Sequence, residues 1–295
     1  MTKKPPRLNL LATVDLPVLE ASGVAVRRVD GDVRVLAVGD RTWHIVAGEF
    51  DGDDGINEWQ TLDLSGLADW QLGAGDSQLE AVAVDGGSFI ALMREDPPVV
   101  LLADTTNGEL LSKITLVAPP DSELNERWDD PSSRGEGLVL LRGGRLLVAK
   151  EKRPRALIEF APIGSRSLGL AQHDFLGPNE RWDAPVGEVE FVATAVWKLR
   201  DAAKSALGDI SALAVGSGRG LWFLSDKSRC VARLSLDRPL SPGGGAIRTF
   251  DEVWRLPKGT KKPEGIAALA SNRVLVAMDT DLTQANGMIV GRPES

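Results

Sequence analysis

The chain of 295 residues has no tyrosine, one cysteine and two histidines. A single thiol, Cys230, excludes an intramolecular disulfide and a cysteine-based zinc site. His44 and His173 leave too little imidazole for a histidine-rich metal centre or a Ser-His-Asp arrangement, and neither zinc, haem nor a nucleotide cofactor is expected. Long apolar runs are also missing. The opening stretch MTKKPPRLNLLATVDL holds about five consecutive weakly apolar residues, too few for a signal-peptide core or a membrane span, so a cytoplasmic protein with no membrane association is the expectation. Cations are in the minority, 34 Lys plus Arg against 42 Asp plus Glu, a formal net charge of −8. With no sustained basic stripe, nucleic acid is not an expected partner, because phosphate neutralisation needs clustered cations.

What the chain does have is glycine (31 residues), proline (17) and short apolar runs of four to six residues without helical spacing, the pattern of many short strands. One unit recurs five times. It begins with Glu or Ser, then a small residue, then an apolar stretch: Ser22-Gly-Val-Ala-Val, Glu80-Ala-Val-Ala-Val, Glu136-Gly-Leu-Val-Leu, Ser211-Ala-Leu-Ala-Val and Glu264-Gly-Ile-Ala-Ala. A turn and a second apolar run follow, ending on Asp40, Glu95, Glu151, Asp226 and Asp279. From leading residue to closing carboxylate the offset is 15 in four copies (80 to 95, 136 to 151, 211 to 226, 264 to 279) and 18 in the first.

A third strand is read at Trp43-His-Ile-Val, Val99-Val-Leu-Leu, Ala156-Leu-Ile-Glu-Phe, Cys230-Val-Ala-Arg-Leu and Met288-Ile-Val. A looser fourth is read at Trp59 to Leu64, Lys113 to Val117, Leu168 to Phe175 and Ile247 to Phe250. The last copy has no room for a fourth strand, and residues 8–14 at the N-terminus have no place in the first unit. Used as the outer strand of the last unit, they close the ring and cover its edge. The fold class expected is therefore all-β: a single five-bladed β-propeller of four-stranded antiparallel blades starting near 22, 80, 136, 211 and 264. About twenty surplus residues separate the third and fourth copies; Val196, Leu199, Ala203 and Leu207 recur at helical spacing there, predicting an amphipathic helix over about 193–207, capped by Gly208. The pentapeptide Asn-Glu-Arg-Trp-Asp occurs twice, at 125–129 and 179–183, each read as a loop leaving a fourth strand and packing its Trp on a neighbouring blade, or else as one of a pair of ligand contacts.

In a propeller the first strand of each blade lines the channel and forms a hairpin with the second. Ser22 and Asp40, Glu80 and Glu95, Glu136 and Glu151, Ser211 and Asp226, and Glu264 and Asp279 are therefore expected at one mouth. Crowded carboxylates raise one another's pKa unless a cation compensates. A calcium ion, which takes six to eight oxygen ligands, suits them. The expected ligands are Glu80, Glu136 and Glu264, then Asp226 and Asp40; Glu95, Glu151, Asp279, Arg134 and Lys150 are expected ligand-binding residues around them. Arg41, Arg94, Arg134, Lys150, Lys152 and Lys227 lie close in sequence and offer the alternative of a ring neutralised by salt bridges.

Gly135-Glu-Gly-Leu with Val148-Ala-Lys-Glu-Lys, Asp209-Ile-Ser-Ala-Leu-Ala with Leu224-Ser-Asp-Lys-Ser, and Pro263-Glu-Gly-Ile-Ala resemble the SdiA-regulated family of bacterial propellers, distantly similar to strictosidine-synthase, SMP-30 lactonase and phytase-like propellers. The resemblance implies a calcium-binding five-bladed propeller with metal in the channel and falls on Glu80, Glu136, Glu264 and Asp226. Low His content and the absence of Tyr favour a non-enzymatic module binding a small molecule or a protein at the channel mouth or loops. The alternative is a metal-dependent hydrolase of lactonase or phosphoesterase type using the same site.

Overall fold

A computed structural model describes residues 4–29, 31–52, 55–67, 75–118, 128, 134–216, 218–270, 272–280 and 285–293. The repeated units are antiparallel meanders. The first comprises β2 (Ala21–Val29), β3 (Asp32–Gly39), β4 (His44–Phe50) and β5 (Ile56–Asp63), following the N-terminal β1 (Asn9–Val14). The second runs through β6 (Leu79–Val84), β7 (Phe89–Arg94), β8 (Val99–Asp104) and β9 (Leu110–Val117), and the third through β10 (Gly135–Leu141), β11 (Arg145–Lys150), β12 (Ala156–Pro162) and β13 (Gly187–Leu199). After β14 (Ala212–Val215), β15 (Leu221–Ser225), β16 (Cys230–Leu234), the short β17 (Gly245–Ile247) and β18 (Glu252–Arg255), the last unit consists of β19 (Pro263–Ala270), β20 (Arg273–Met278) and β21 (Gly287–Gly291).

β1 pairs antiparallel with β21, giving the order β1-β21-β20-β19. Residues 8–14 thus do complete the last sheet. Just before it, Leu8 N donates to Arg255 O (2.9 Å), tying the same segment to β18.

Hydrogen bonding groups the strands into four sheets rather than the five separate ones expected. Gly187–Val192 of β13 pairs in parallel with Ser112–Val117 of β9, so the second and third meanders share a nine-stranded sheet that also holds β17. The fusion follows from the length of β13, 13 residues, of which Phe191–Lys198 span β12 at its full depth and the preceding residues extend beyond it to β9.

Three local readings are corrected. The third unit's fourth strand is β13, not Leu168–Phe175, which makes only isolated bridges and a 3₁₀ turn at Gln172–Asp174. His173 therefore sits in that turn and not on a strand. The fourth unit ends with β18, not Ile247–Phe250, because β17 joins β13 instead. The helix expected over 193–207 shrinks to α1 (Asp201–Ala206). Ala195, Trp197 and Leu199 are buried on alternate residues, the first two paired with β12 and Leu199 with β17, so a period of two overrides the helical spacing of Val196 and Leu199.

The core lies between the units. Each of five buried apolar clusters is shared by two successive meanders, and Val14, Val24, Val35, Ala267 and Leu275 join the last to the first. The inner strands β2, β6, β10, β14 and β19 each pack on the next, and β19 packs back on β2. This approach explains the small second residue of the repeat. A Cβ at Gly137 would stand 2.6 Å from Leu213 N, and one at Gly23 3.0 Å from Ala81 Cα. Trp182, from the second pentapeptide, is buried and donates to Leu141 O (2.9 Å), but its segment precedes β13 rather than leaving it. Of the first pentapeptide only Trp128 is among the described residues, and it too is buried, against Phe160 at 5.2 Å.

Candidate cation site at the channel mouth

Four of the five inner strands meet their partners through a one-residue irregularity at the leading position, whereas β14 pairs with β15 in unbroken register. The register of β6 with β7 shifts between Leu79 and Ala81, that of β10 with β11 between Gly135 and Gly137, that of β19 with β20 between Pro263 and Gly265, and that of β2 with β3 between Ala21 and Gly23. Glu80, Glu136, Glu264 and Ser22 are the extra residues. A bulge turns its residue out of the ladder and re-aims the side chain. Three carboxylates are thereby directed to one mouth, where Glu80, Glu95, Glu136, Glu151, Asp226 and Glu264 surround a cavity of about 330 Å³ together with Asp209, Ser211, Lys152 and Lys227.

The two serine-led units use their hydroxyls differently. Ser22 donates to Leu79 O and Ser211 donates to Pro263 O (2.9 Å), each fastening its strand to the next unit. The closing carboxylates directly follow β3, β7, β11, β15 and β20 and are mostly paired locally. Lys152 meets Glu151 (2.5 Å), Arg229 meets Asp226 (2.6 Å) and Lys262 meets Asp279. The salt-bridged alternative thus describes most of this outer set.

No such pairing reaches the leading glutamates among the described residues. Burial, with the charges of Glu95, Glu264, Asp40 and Asp279, pushes Glu80 up to about 8. Glu136 is raised well above the ordinary carboxylate range by burial and then by Glu80 and Glu151. Glu264 reaches about 7 through burial, although Lys262 opposes the shift. Burial is also the main cause of the upward shifts of Glu95 and Asp226.

Asp40 and Asp279 are not among the residues lining the cavity. Asp40 is raised to about 6 by burial and by Glu20 and Asp279, and its Oδ1 has no hydrogen-bond partner among the described residues. Arg134 and Lys150 also lie apart. Arg134 donates to Trp128 O (2.6 Å) and to Asp96 Oδ1 (2.9 Å), and Lys150 is fully buried in β11. Sequence reasoning passed over Glu20, which pairs with Arg41 at 2.8 Å, and Asp209. The buried Asp209 carboxylate accepts from Ser225 Oγ (2.5 Å) and Lys227 N (3.2 Å), holding the turn that presents Asp226. The signal for Asp209 is its position two residues before the leading Ser211.

The donors fit a hard cation in chemistry: carboxylate oxygens at high local charge, with no His and no Cys in the lining. Among the described residues, no group of three or more His, Cys, Asp or Glu side chains already stands close enough to share one ion. Any ion held here would take ligands from water as well, which calcium accepts. No helix of the described residues is long and apolar enough to cross a membrane.

No protein-family model matches the chain, and no curated protein does. Among solved structures it is similar to the PQQ-bound aldose sugar dehydrogenase of Streptomyces coelicolor (13% identity, 97% of this chain and 98% of that one, TM-score 0.46). It is also similar to a streptogramin B lyase (10%, 98% and 87%, TM-score 0.44) and to the β-propeller domain of Swd1 from Myceliophteria thermophila (10%, 93% and 84%, TM-score 0.42). At such identities and scores the likenesses carry no statement about what this chain binds or does.

Proposed function

We propose that the chain is a five-bladed β-propeller of the SdiA-regulated type, with four-stranded antiparallel blades, that binds calcium at the acidic mouth of its channel. In this reading it works as a binding module, presenting that mouth and its loops to a small molecule or a protein. The observation that carries the proposal is the set of three bulge-borne glutamates, Glu80, Glu136 and Glu264, sharing one cavity with their pKa values driven upward. Their folded positions favour the neutral form, so a bound cation would exchange for protons and relieve the repulsion. Calcium would supply charge compensation there, and Ser211 and the outer carboxylates would set the rim around it.

Calorimetric titration with calcium chloride at pH 7.5, paired with thermal unfolding, tests this. Saturable binding that raises the unfolding midpoint, weakened by Glu136→Gln, is the expected result. Absence of any heat or midpoint shift with calcium would overturn it. The hydrolase alternative draws on one observation, that Glu80 and Glu264 titrate near neutrality, where acid–base catalysts operate. Chelator-sensitive turnover in a screen of lactones and phosphate esters would favour it over a pure binding module.

A further inference from the structure

The opposite end of the channel carries the reverse charge. A second cavity, of about 200 Å³, is walled by the far halves of the inner strands, with Val24, Val82, Leu138, Leu213 and Ile266 among its lining. Its polar rim is made by Arg27, Arg28, Arg219 and a single carboxylate, Asp85.

That carboxylate is already committed. Asp85 is buried, accepting from Gly87 N (2.8 Å) through Oδ1 and from Trp182 N (3.1 Å) through Oδ2. The guanidinium groups keep capacity to spare. Arg27 is 8% exposed and donates to Phe89 O (2.5 Å) and Thr105 Oγ1 (3.0 Å), but its Nε has no partner among the described residues. Arg28 uses one terminal nitrogen on Ala268 O (3.2 Å) and Leu269 O (2.5 Å). The Arg219 side chain makes no hydrogen bond or ion pair among the described residues. Glu180, whose charge it feels, is held by Arg142 through two bonds of 2.6 Å. Burial pulls the pKa of Arg27 and Arg28 down, with the charges of Asp85 and Asp104 opposing the shift at Arg27.

From this geometry we infer that the cavity is a binding site for a small organic monoanion: a carboxylate held by Arg219 in the positive field of Arg27 and Arg28, with a compact apolar body against the inner-strand walls. A guanidinium fork matches a carboxylate in shape and charge. The apolar walls would leave an inorganic anion without contacts on most of its surface. The volume lies below the ~300 Å³ at which pockets begin to take drug-sized ligands, which limits the body to a short branched chain or a single ring. The site is independent of the acidic mouth and does not require a cation there.

Calorimetry with sodium benzoate, benzyl alcohol and inorganic phosphate, in a buffer free of carboxylates, tests the inference on the full chain. Benzoate is expected to saturate one site, with benzyl alcohol and phosphate weaker by about tenfold or more, the worth of a charge-assisted hydrogen bond. Arg219→Gln should weaken benzoate by about the same factor while leaving the thermal midpoint nearly unchanged, because that side chain makes no hydrogen bond or ion pair among the described residues. Ala214→Phe, which fills the channel from its lining, should abolish binding. If that variant fails to fold, Arg219→Gln decides alone. No saturation with benzoate, equal binding of benzyl alcohol or phosphate, or wild-type affinity in Arg219→Gln would each overturn the assignment.

Discussion

Glu80 shows how one carboxylate ties the fold to pH. Its ordinary pKa of 4.5 is raised to about 8, so the folded state prefers its neutral form. A group raised in this way contributes stability that is complete below its unfolded pKa and is lost as pH climbs through the folded one. Glu264, raised to about 7, and Asp40, raised from 3.8 to about 6, act in the same direction. In the absence of cations the unfolding midpoint should therefore fall steadily between about pH 4 and pH 8. Glu80→Gln should raise stability at pH 8 by on the order of 2 kcal/mol, change little at pH 4, and flatten the profile between them. Thermal unfolding across that pH range checks it, and a variant no more stable than wild type at pH 8 would contradict the assignment of strain to this side chain.

At the level of the strand, the repeat is a packing device as much as a site. The small residue after each leading position sits where one inner strand crosses the next, so Gly137→Ala would push a methyl group against the backbone of Leu213. Overpacking of this kind costs about 1–3 kcal/mol, and a urea titration should show a lower midpoint with an unchanged slope. The bulge at the same place was not legible in the chain. An offset of 15 residues is consistent with a plain hairpin, and the extra residue emerges only when Gly135 and Gly137 are seen opposite Lys150 and Ala149. The helical reading of Val196 and Leu199 failed for a related reason. Their spacing is ambiguous over a few residues, and pairing of Ala156–Pro162 with Phe191–Lys198 settled it in favour of a strand.

Over the whole molecule, closure depends on the chain's own start. β1 covers the edge of β21, and the residues before it bind β18. Deleting residues 1–14 should leave that edge unpaired and raise the average mass above that of the full chain through dimers or aggregates, measured by size-exclusion chromatography with light scattering. The channel enclosed by the ring is electrostatically polar from end to end. Glutamates stand at the mouth where the inner strands begin, and arginines at the mouth where they end. A net charge of −8 therefore conceals two local fields of opposite sign.

The amino-acid sequence by itself determined the inner hairpin pairs, the third strands, the closing strand at residues 8–14 and the convergence of six of the acids on one rim. All of these follow from periodicity and short-range spacing, which the order of residues encodes directly. Tertiary structure decided which carboxylates remain without a partner. Lys152, Arg229 and Lys262 reach the outer set, whereas Glu80, Glu136 and Glu264 are turned inward by bulges. It also joined β9 to β13 and gathered Arg27, Arg28 and Arg219 from distant segments. Pairing, burial and charge compensation are properties of neighbours in space, and a spacing rule read along the chain does not contain them.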